Sequence, residues 1–215
     1  MSRQNVYNLI ILDESGSMDS IKRSIISSFN EVIQTAKTAQ KDYPEQKHYM
    51  TFVTFSGERI KTHLYMKPVD EIAELDGEKY QPNNSTPLMD AIGMSCTKLH
   101  YDLPKDAKCA VLVTILTDGY ENSSKEFTQG QINNMIMKLK EEDWTFTYIG
   151  ADHDVEGIAM SISIENNISF SKSVEGVHYL LKREIDSRKD FYRAVHDNED
   201  LKKRKYYADP DSSNE

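Results

Sequence analysis

Two apolar runs constrain this fold more than any other feature of the sequence: Val6-Tyr7-Asn8-Leu9-Ile10-Ile11-Leu12 and Ala110-Val111-Leu112-Val113-Thr114-Ile115-Leu116. Both are short, rich in β-branched residues and almost without polar interruption. Such runs read as strands buried on both faces, which requires a layer of helices above the sheet and another below it. Each run stops at an aspartate followed closely by glycine: Asp13-Glu14-Ser15-Gly16-Ser17 after the first, Thr117-Asp118-Gly119 after the second. The carboxyl ends of strands are where open α/β sheets place their ligands.

The rest of the chain supplies the helical layers. Ile21, Ile25, Phe29, Val32, Ile33 and Ala36 recur at helical spacing over residues 20–39, with Ser20 as the expected cap. Strands are expected over 48–55 and 59–67, joined through Ser56-Gly57-Glu58 and therefore antiparallel. A short helix follows near 69–76, then a helix from Pro87 to about Tyr101 with Leu88, Ile92, Cys96 and Leu99 inward. A helix over 125–142 carries Ile132, Met135, Ile136 and Leu139, and Trp144 to Ile149 is a strand. A short helix near 154–162, a strand near 168–170 and a helix over 174–195 with Val177, Leu180, Leu181 and Ile185 inward complete the alternation. The expected fold is α/β: a doubly wound, mostly parallel sheet with one antiparallel edge strand and helices on both faces. One domain spans 1–195, and the charged residues 196–215, with Lys202-Lys203-Arg204-Lys205 and a serine-bearing acidic end, read as a disordered tail.

Composition excludes several classes of function. A formal charge of −9 argues against a nucleic-acid binder and against docking on anionic lipid, because both need a basic surface. No stretch approaches the roughly 18 apolar residues of a membrane span, and nothing near Met1 reads as a signal peptide, so the expected location is cytoplasmic. The two cysteines, Cys96 and Cys109, read as buried free thiols. Asp152-His153-Asp154 reads as a helix cap rather than a metal site, since it has no partner ligands at metal spacing.

Asp13, Ser15 and Ser17 place one carboxylate and two hydroxyls at alternate positions of a loop leaving a strand. Hard oxygen donors of this kind suit a hard divalent cation such as Mg²⁺. Asp118 adds a second carboxylate. Between the two runs, Ser85-Thr86-Pro87 reads as a helix start, with Thr86 or Ser85 as cap and Pro87 at the first helical position. A threonine there points its hydroxyl toward the same sheet edge. Two carboxylates just neutralise a divalent ion, and three hydroxyls leave its six-oxygen shell unfilled, so an exchangeable position remains. Glu14, Asp19, Asp90 and Glu121 sit at the same edge as candidate acceptors for bound waters, and Tyr120 as a candidate lining residue.

The three parts in this order, Asp13-x-Ser15-x-Ser17, Thr86 and Asp118, resemble the metal-ion-dependent adhesion site of von Willebrand factor type A (vWA) domains, over roughly residues 5–185. The resemblance implies a metal set of Asp13, Ser15, Ser17, Thr86 and Asp118, holding Mg²⁺ or Mn²⁺, with a protein partner donating a Glu or Asp as the last ligand. It also implies an intracellular, bacterial-type role in a stress-response or ATPase-linked complex.

An enzyme reading is weaker. A nucleophile elbow needs glycines on both sides of Ser15, where Asp13 and Ser17 stand. A phosphate-transferring Asp-x-Asp site needs an acid where Ser15 stands. There is no Walker loop and no Gly-x-Gly-x-x-Gly. A binding module ranks first, and a Mg²⁺-dependent phosphohydrolase, with Glu14 or Asp90 as its only base candidates, ranks second.

Overall fold

The structure, a computed structural model, describes residues 4–57, 59–75, 80–82, 85–105, 108–151 and 154–207. Glu58, Asn83, Asn84, Asp152 and His153 lie outside the described residues. The elements run in the order β1 (Gln4–Asp13), α1 (Lys22–Asp42), β2 (Gln46–Ser56), β3 (Arg59–Pro68), α2 (Leu88–Asp102), β4 (Cys109–Thr117), α3 (Gln129–Lys140), β5 (Trp144–Ala151), α4 (Val155–Ser161), β6 (Asn167–Phe170) and α5 (Val174–His196). They form one six-stranded sheet in the order β3-β2-β1-β4-β5-β6. All pairs are parallel except β2–β3, which is antiparallel as expected. The tight β2–β3 connection passes through Gly57 at φ 60°, a left-handed conformation that glycine adopts without a Cβ penalty.

Period-2 alternation splits the buried side chains into two cores. Val6, Ile10 and Leu12 of β1, with Met50, Phe52, Ala110 and Leu112, pack under α1 and α5. Tyr7, Leu9 and Ile11, with Val53, Phe55, Val111, Val113 and Ile115, pack under α2 and α3. Because β1 is central and covered on both faces, the polar residue in its middle, Asn8, must find partners inside the protein. It does: Asn8 Oδ1 accepts from Arg188 Nη1 at 2.9 Å and from the Tyr192 hydroxyl at 2.7 Å.

Several boundaries differ from the sequence expectation, each for a physical reason. α1 starts at Lys22 after a 3-10 segment, Gly16–Ile21, and Ile21 rather than Ser20 stands at its N-cap. Pro87 is the N-cap of α2, not its first helical residue, so neither Thr86 nor Ser85 caps it. α3 begins only at Gln129, after a Thr128–Gln131 capping box. The amides of Lys125, Glu126 and Phe127, expected to be helical, instead donate to the Asp90 carboxylate at 2.8, 3.0 and 2.8 Å. Only Val69–Glu71 is helical, as a 3-10 turn, where a longer segment was expected.

On α5 the inward face includes Glu184 and Arg188, while Leu181 and Ile185 are only half-buried. Of residues 196–215, expected to form a disordered tail, those up to 207 have a defined place on the domain, and 208–215 lie outside the described residues. Leu201–Lys203 forms a 3-10 turn, and Tyr206 and Tyr207 are buried, their hydroxyls donating to Glu184 Oε1 and Oε2 at 3.0 and 2.9 Å. Two aromatic side chains outweigh four neighbouring cations, because each ring buries a large apolar area and has a hydrogen-bonding end that Glu184 satisfies. Cys96 is buried, Cys109 is half-buried, and both are free thiols.

Candidate metal site at the carboxyl edge of the sheet

The strand order reverses between β1 and β4: the chain moves from β1 outward to β2 and β3, then returns to β4 on the other side. A crevice at the carboxyl ends of the strands follows from that reversal. Asp13 ends β1, and Thr117 ends β4. Asp13, Ser15, Thr86 and Asp118 are all buried, whereas Ser17 is exposed.

The loop geometry distinguishes ligand-like from cap-like roles. Ser15 stands at the N-cap of the 3-10 segment, but its side chain makes no capping bond. Its hydroxyl instead lies 3.1 Å from Ser17 Oγ, and Ser17 Oγ donates to Asp118 Oδ1 at 2.6 Å. Asp13 is held from both sides: Oδ1 accepts from the Ser15 amide at 2.7 Å and Oδ2 from Thr117 Oγ1 at 2.6 Å. Burial pushes the Asp13 carboxyl up to about 6, against the opposing pull of its bonds from Thr117 and Ser15. The turn after β4 is closed by Thr117 Oγ1, which accepts from the Gly119 amide at 3.2 Å, so Asp118 is not consumed in closing it.

Thr86 is fixed by its backbone. Its amide donates to Asn122 Oδ1 at 2.9 Å, and its carbonyl accepts from the Asn122 amide at 3.2 Å. Its hydroxyl borders the same point as Asp13. A Cβ at Gly119 would stand 3.3 Å from Thr86 Oγ1 and 4.0 Å from Asp13 Oδ2, so glycine at 119 lets the two loops close up. All five predicted residues therefore meet at one edge.

The neighbouring acids have other duties. Glu121 caps α2 from outside it: Oε2 accepts from the Met89 amide at 2.9 Å, while Oε1 accepts from the Ser123 and Ser124 amides at 2.8 and 2.7 Å. Glu14 Oε1 accepts from the Gln81 amide. Asp90 holds the three amides before α3, as described above. Asp154 caps α4, accepting from the Gly157 amide at 3.0 Å. Tyr120 is exposed beside Asp118.

Supporting residues not singled out from sequence include Asn122, Thr117, Tyr80 and Lys172. Thr117 carried a signal, its adjacency to Asp118 at a strand end. Tyr80, whose hydroxyl donates to the Asp13 carbonyl at 2.7 Å, and Lys172, whose Nζ stands 2.7 Å from Asp118 Oδ2, carried none, because both arrive from remote loops.

The donor set fits a small hard cation. Ligands adjacent in an octahedron with bonds of about 2.0–2.1 Å lie about 3 Å apart, and Ser15 Oγ and Ser17 Oγ are 3.1 Å apart. Asp118 Oδ2 is buried, with the Lys172 ammonium 2.7 Å away and no other hydrogen-bond donor on it among the described residues. Among the described residues no cluster of three or more His, Cys, Asp or Glu side chains exists, so the site is built from hydroxyls and two acids rather than from thiolates or imidazoles.

By sequence alone the chain matches no family model and no curated protein. Its structure is similar to several solved ones. They include the vWF domain of the type V pili tip protein Mfa5 from Porphyromonas gingivalis (TM-score 0.63, 9% identity, covering 91% of this chain and 96% of that one). The SpRpn10 VWA domain aligns with TM-score 0.57 at 9% identity, over 81% of this chain and 93% of that one. Proximal thread matrix protein 1 from the mussel byssus, in a structure with a zinc-occupied MIDAS motif, aligns with TM-score 0.55 at 13% identity over 90% of this chain. This chain spans 46% of that protein's length, about half of it. The fold is that of a vWA domain, a Rossmann-like α/β sandwich.

Proposed function

We propose that this chain is a metal-dependent protein-interaction module. Asp13, Ser15, Ser17, Thr86 and Asp118 would hold Mg²⁺ or Mn²⁺, and an acidic side chain of a protein partner would supply the remaining ligand. The observation that carries the reading is the convergence of the Ser15, Ser17 and Asp118 side chains, with the Ser15 hydroxyl making no capping bond. When bound, such an ion supplies a Lewis-acidic position that a carboxylate can occupy. This chain's own residues do the rest. Asp13 and Asp118 balance the charge, the Asn122 clamp holds Thr86 against Gly119, and Ser17 keeps the mouth open to solvent.

An open groove beside Thr86, lined by Ile60, Pro87 and Met94 together with Arg59, Asp90, Lys125 and Glu126, offers a partner segment an apolar floor among charges of both signs. The phosphohydrolase alternative gains no support from the acids it needs, because Glu14 and Asp90 are both engaged by backbone amides. A role in a stress-response or ATPase-linked complex is carried by the sequence resemblance alone. Isothermal titration of Mg²⁺ and Mn²⁺, followed by co-purification with and without chelator, tests the reading. Partner capture that survives chelator, or hydrolysis of a phosphate ester that Asp13→Ala abolishes, would overturn it.

A further inference from the structure

The two acids of the site are not left for a metal alone. Lys172 lies on the loop between β6 and α5, two strands away from Asp118 in the sheet. Its side chain is 21% exposed and its Nζ stands 2.7 Å from Asp118 Oδ2, on a carboxylate whose own side chain is 0% exposed. Asp118 Oδ1 accepts from Ser17 Oγ, and among the described residues the Lys172 ammonium is the cation on the other oxygen. Lys172 is flanked by Ser171 and Ser173, whose hydroxyls are 3.0 Å apart, and Ser173 caps α5 through the Gly176 amide at 3.0 Å. The loop carrying the lysine is thereby fixed at its base.

We infer that Lys172 is a tethered competitor for the metal. This rests on the reading of the five-residue site as a divalent-cation site. A buried carboxylate is costly without a counter-charge, and Lys172 supplies one when no ion does. A dication sharing Asp118 would meet that ammonium at a few ångströms, and the two positive charges repel strongly at that range. The lysine must therefore withdraw from Asp118 for the ion to bind well. Its long flexible stem allows withdrawal into solvent without moving the strands. The result is a site whose metal affinity is set low by the protein itself, and whose occupancy exchanges an ammonium held on Asp118 for a solvated one at the rim where a partner's carboxylate would arrive.

The test is isothermal titration of MgCl₂ and of MnCl₂ into the full chain and its Lys172→Met and Lys172→Gln variants, at one pH and ionic strength. Lys203→Met, on the turn after α5, controls for the general loss of a positive charge. The expected result is at least a tenfold tighter dissociation constant for both Lys172 variants, and an unchanged one for Lys203→Met. Thermal melting in chelator provides the second readout: the Lys172 variants should melt below the wild type without metal and gain more from saturating metal than it does. If the wild type binds the ion and the Lys172 variants bind it no more tightly, the competitor role is wrong and the metal site stands. If neither wild type nor variant binds a divalent ion, the site reading fails and the competitor role with it.

Discussion

Asp13 engages both of its oxygens with protein donors, the Ser15 amide and Thr117 Oγ1, whereas Asp118 holds Ser17 Oγ and the Lys172 ammonium. The two aspartates resemble each other in sequence, since each ends an apolar run, but they differ in what their loss exposes. Asp13→Ala leaves the Ser15 amide without its acceptor and Thr117 Oγ1 with only its 3.3 Å bond to the Gly119 carbonyl, and should cost about 1–3 kcal/mol of stability as well as metal binding. Asp118→Ala frees a serine near solvent and a lysine that can reach it. It should lower metal affinity by at least about a hundredfold with little change in melting temperature. Parallel calorimetric titration and thermal melts of the two variants check this, and equal destabilisation would mean that Asp118 is as structural as Asp13. The identities of all five candidate ligands were legible in sequence, because each lies at a strand end or beside a proline. Lys172 was not, because a lone lysine in a polar loop has no pattern that marks it.

The element most dependent on remote residues is α2. It begins after Pro87 with no cap of its own, and its first amides are satisfied from the loop after β4: Met89 by Glu121 Oε2 and Asp90 by Ser124 Oγ. That loop in turn holds Thr86 through Asn122. Glu121→Ala removes an acceptor from three backbone amides and should cost about 2–3 kcal/mol. It should also weaken metal binding, because Thr86 sits on the same clamp. Urea denaturation together with metal titration checks both effects, and a destabilised variant with unchanged metal affinity would uncouple the clamp from the site. Sequence periodicity located α2 and its inward stripe correctly. It placed the cap wrongly, because a helix start capped from 30 or more residues away leaves no local signature. For the same reason α3 was read too long: Asp90 draws the amides of 125–127 out of a helix that their local sequence would permit.

Across the whole molecule, the α1–α5 face is held by a buried polar network as well as by apolar contact. Arg188, fully buried, donates to Asn8 Oδ1, to Thr114 Oγ1 at 2.7 Å and to Glu184 Oε1 at 2.6 Å, and Glu184 also receives Tyr206 and Tyr207. One cluster therefore ties β1, β4, α5 and the C-terminal segment together. Tyr206→Phe or Tyr207→Phe should each cost about 1.5–3 kcal/mol, the range for a hydrogen bond to a charged group. The double variant should fall short of the sum, because both act on one carboxylate. Urea denaturation gives both numbers, and variants as stable as the wild type would mean the tail is only resting on the domain.

His48, buried in the same region with its ring edge-on to Tyr192, is pushed down to about 3 by burial and by the Arg188 charge. Unfolded imidazole takes up its proton near 6.5 and the folded one only near 3, so the unfolded state binds more protons across that window. The stability from neutral His48 is complete above 6.5 and is lost as pH falls toward 3, at up to about 1.4 kcal/mol per pH unit. Denaturation at a series of pH values, with His48→Gln expected to flatten the acid limb, measures it; an unchanged slope in the variant would remove His48 as the cause.

Apolar runs, helical periodicity and strand-end acids were enough, without any coordinates, to determine a doubly wound sheet with one antiparallel edge and to nominate the five residues at its carboxyl edge. Those signals are local: each depends on residues a few positions apart, so the chain displays them in order. Tertiary structure alone decided the fate of the charged residues and of two tyrosines: Glu184 and Arg188 inside, Asp90 and Glu121 on backbone amides, Lys172 on Asp118, and Tyr206 and Tyr207 docked on Glu184. A charged side chain can be buried only when a partner from elsewhere in the chain meets it, and which partner arrives depends on how the strands and helices pack.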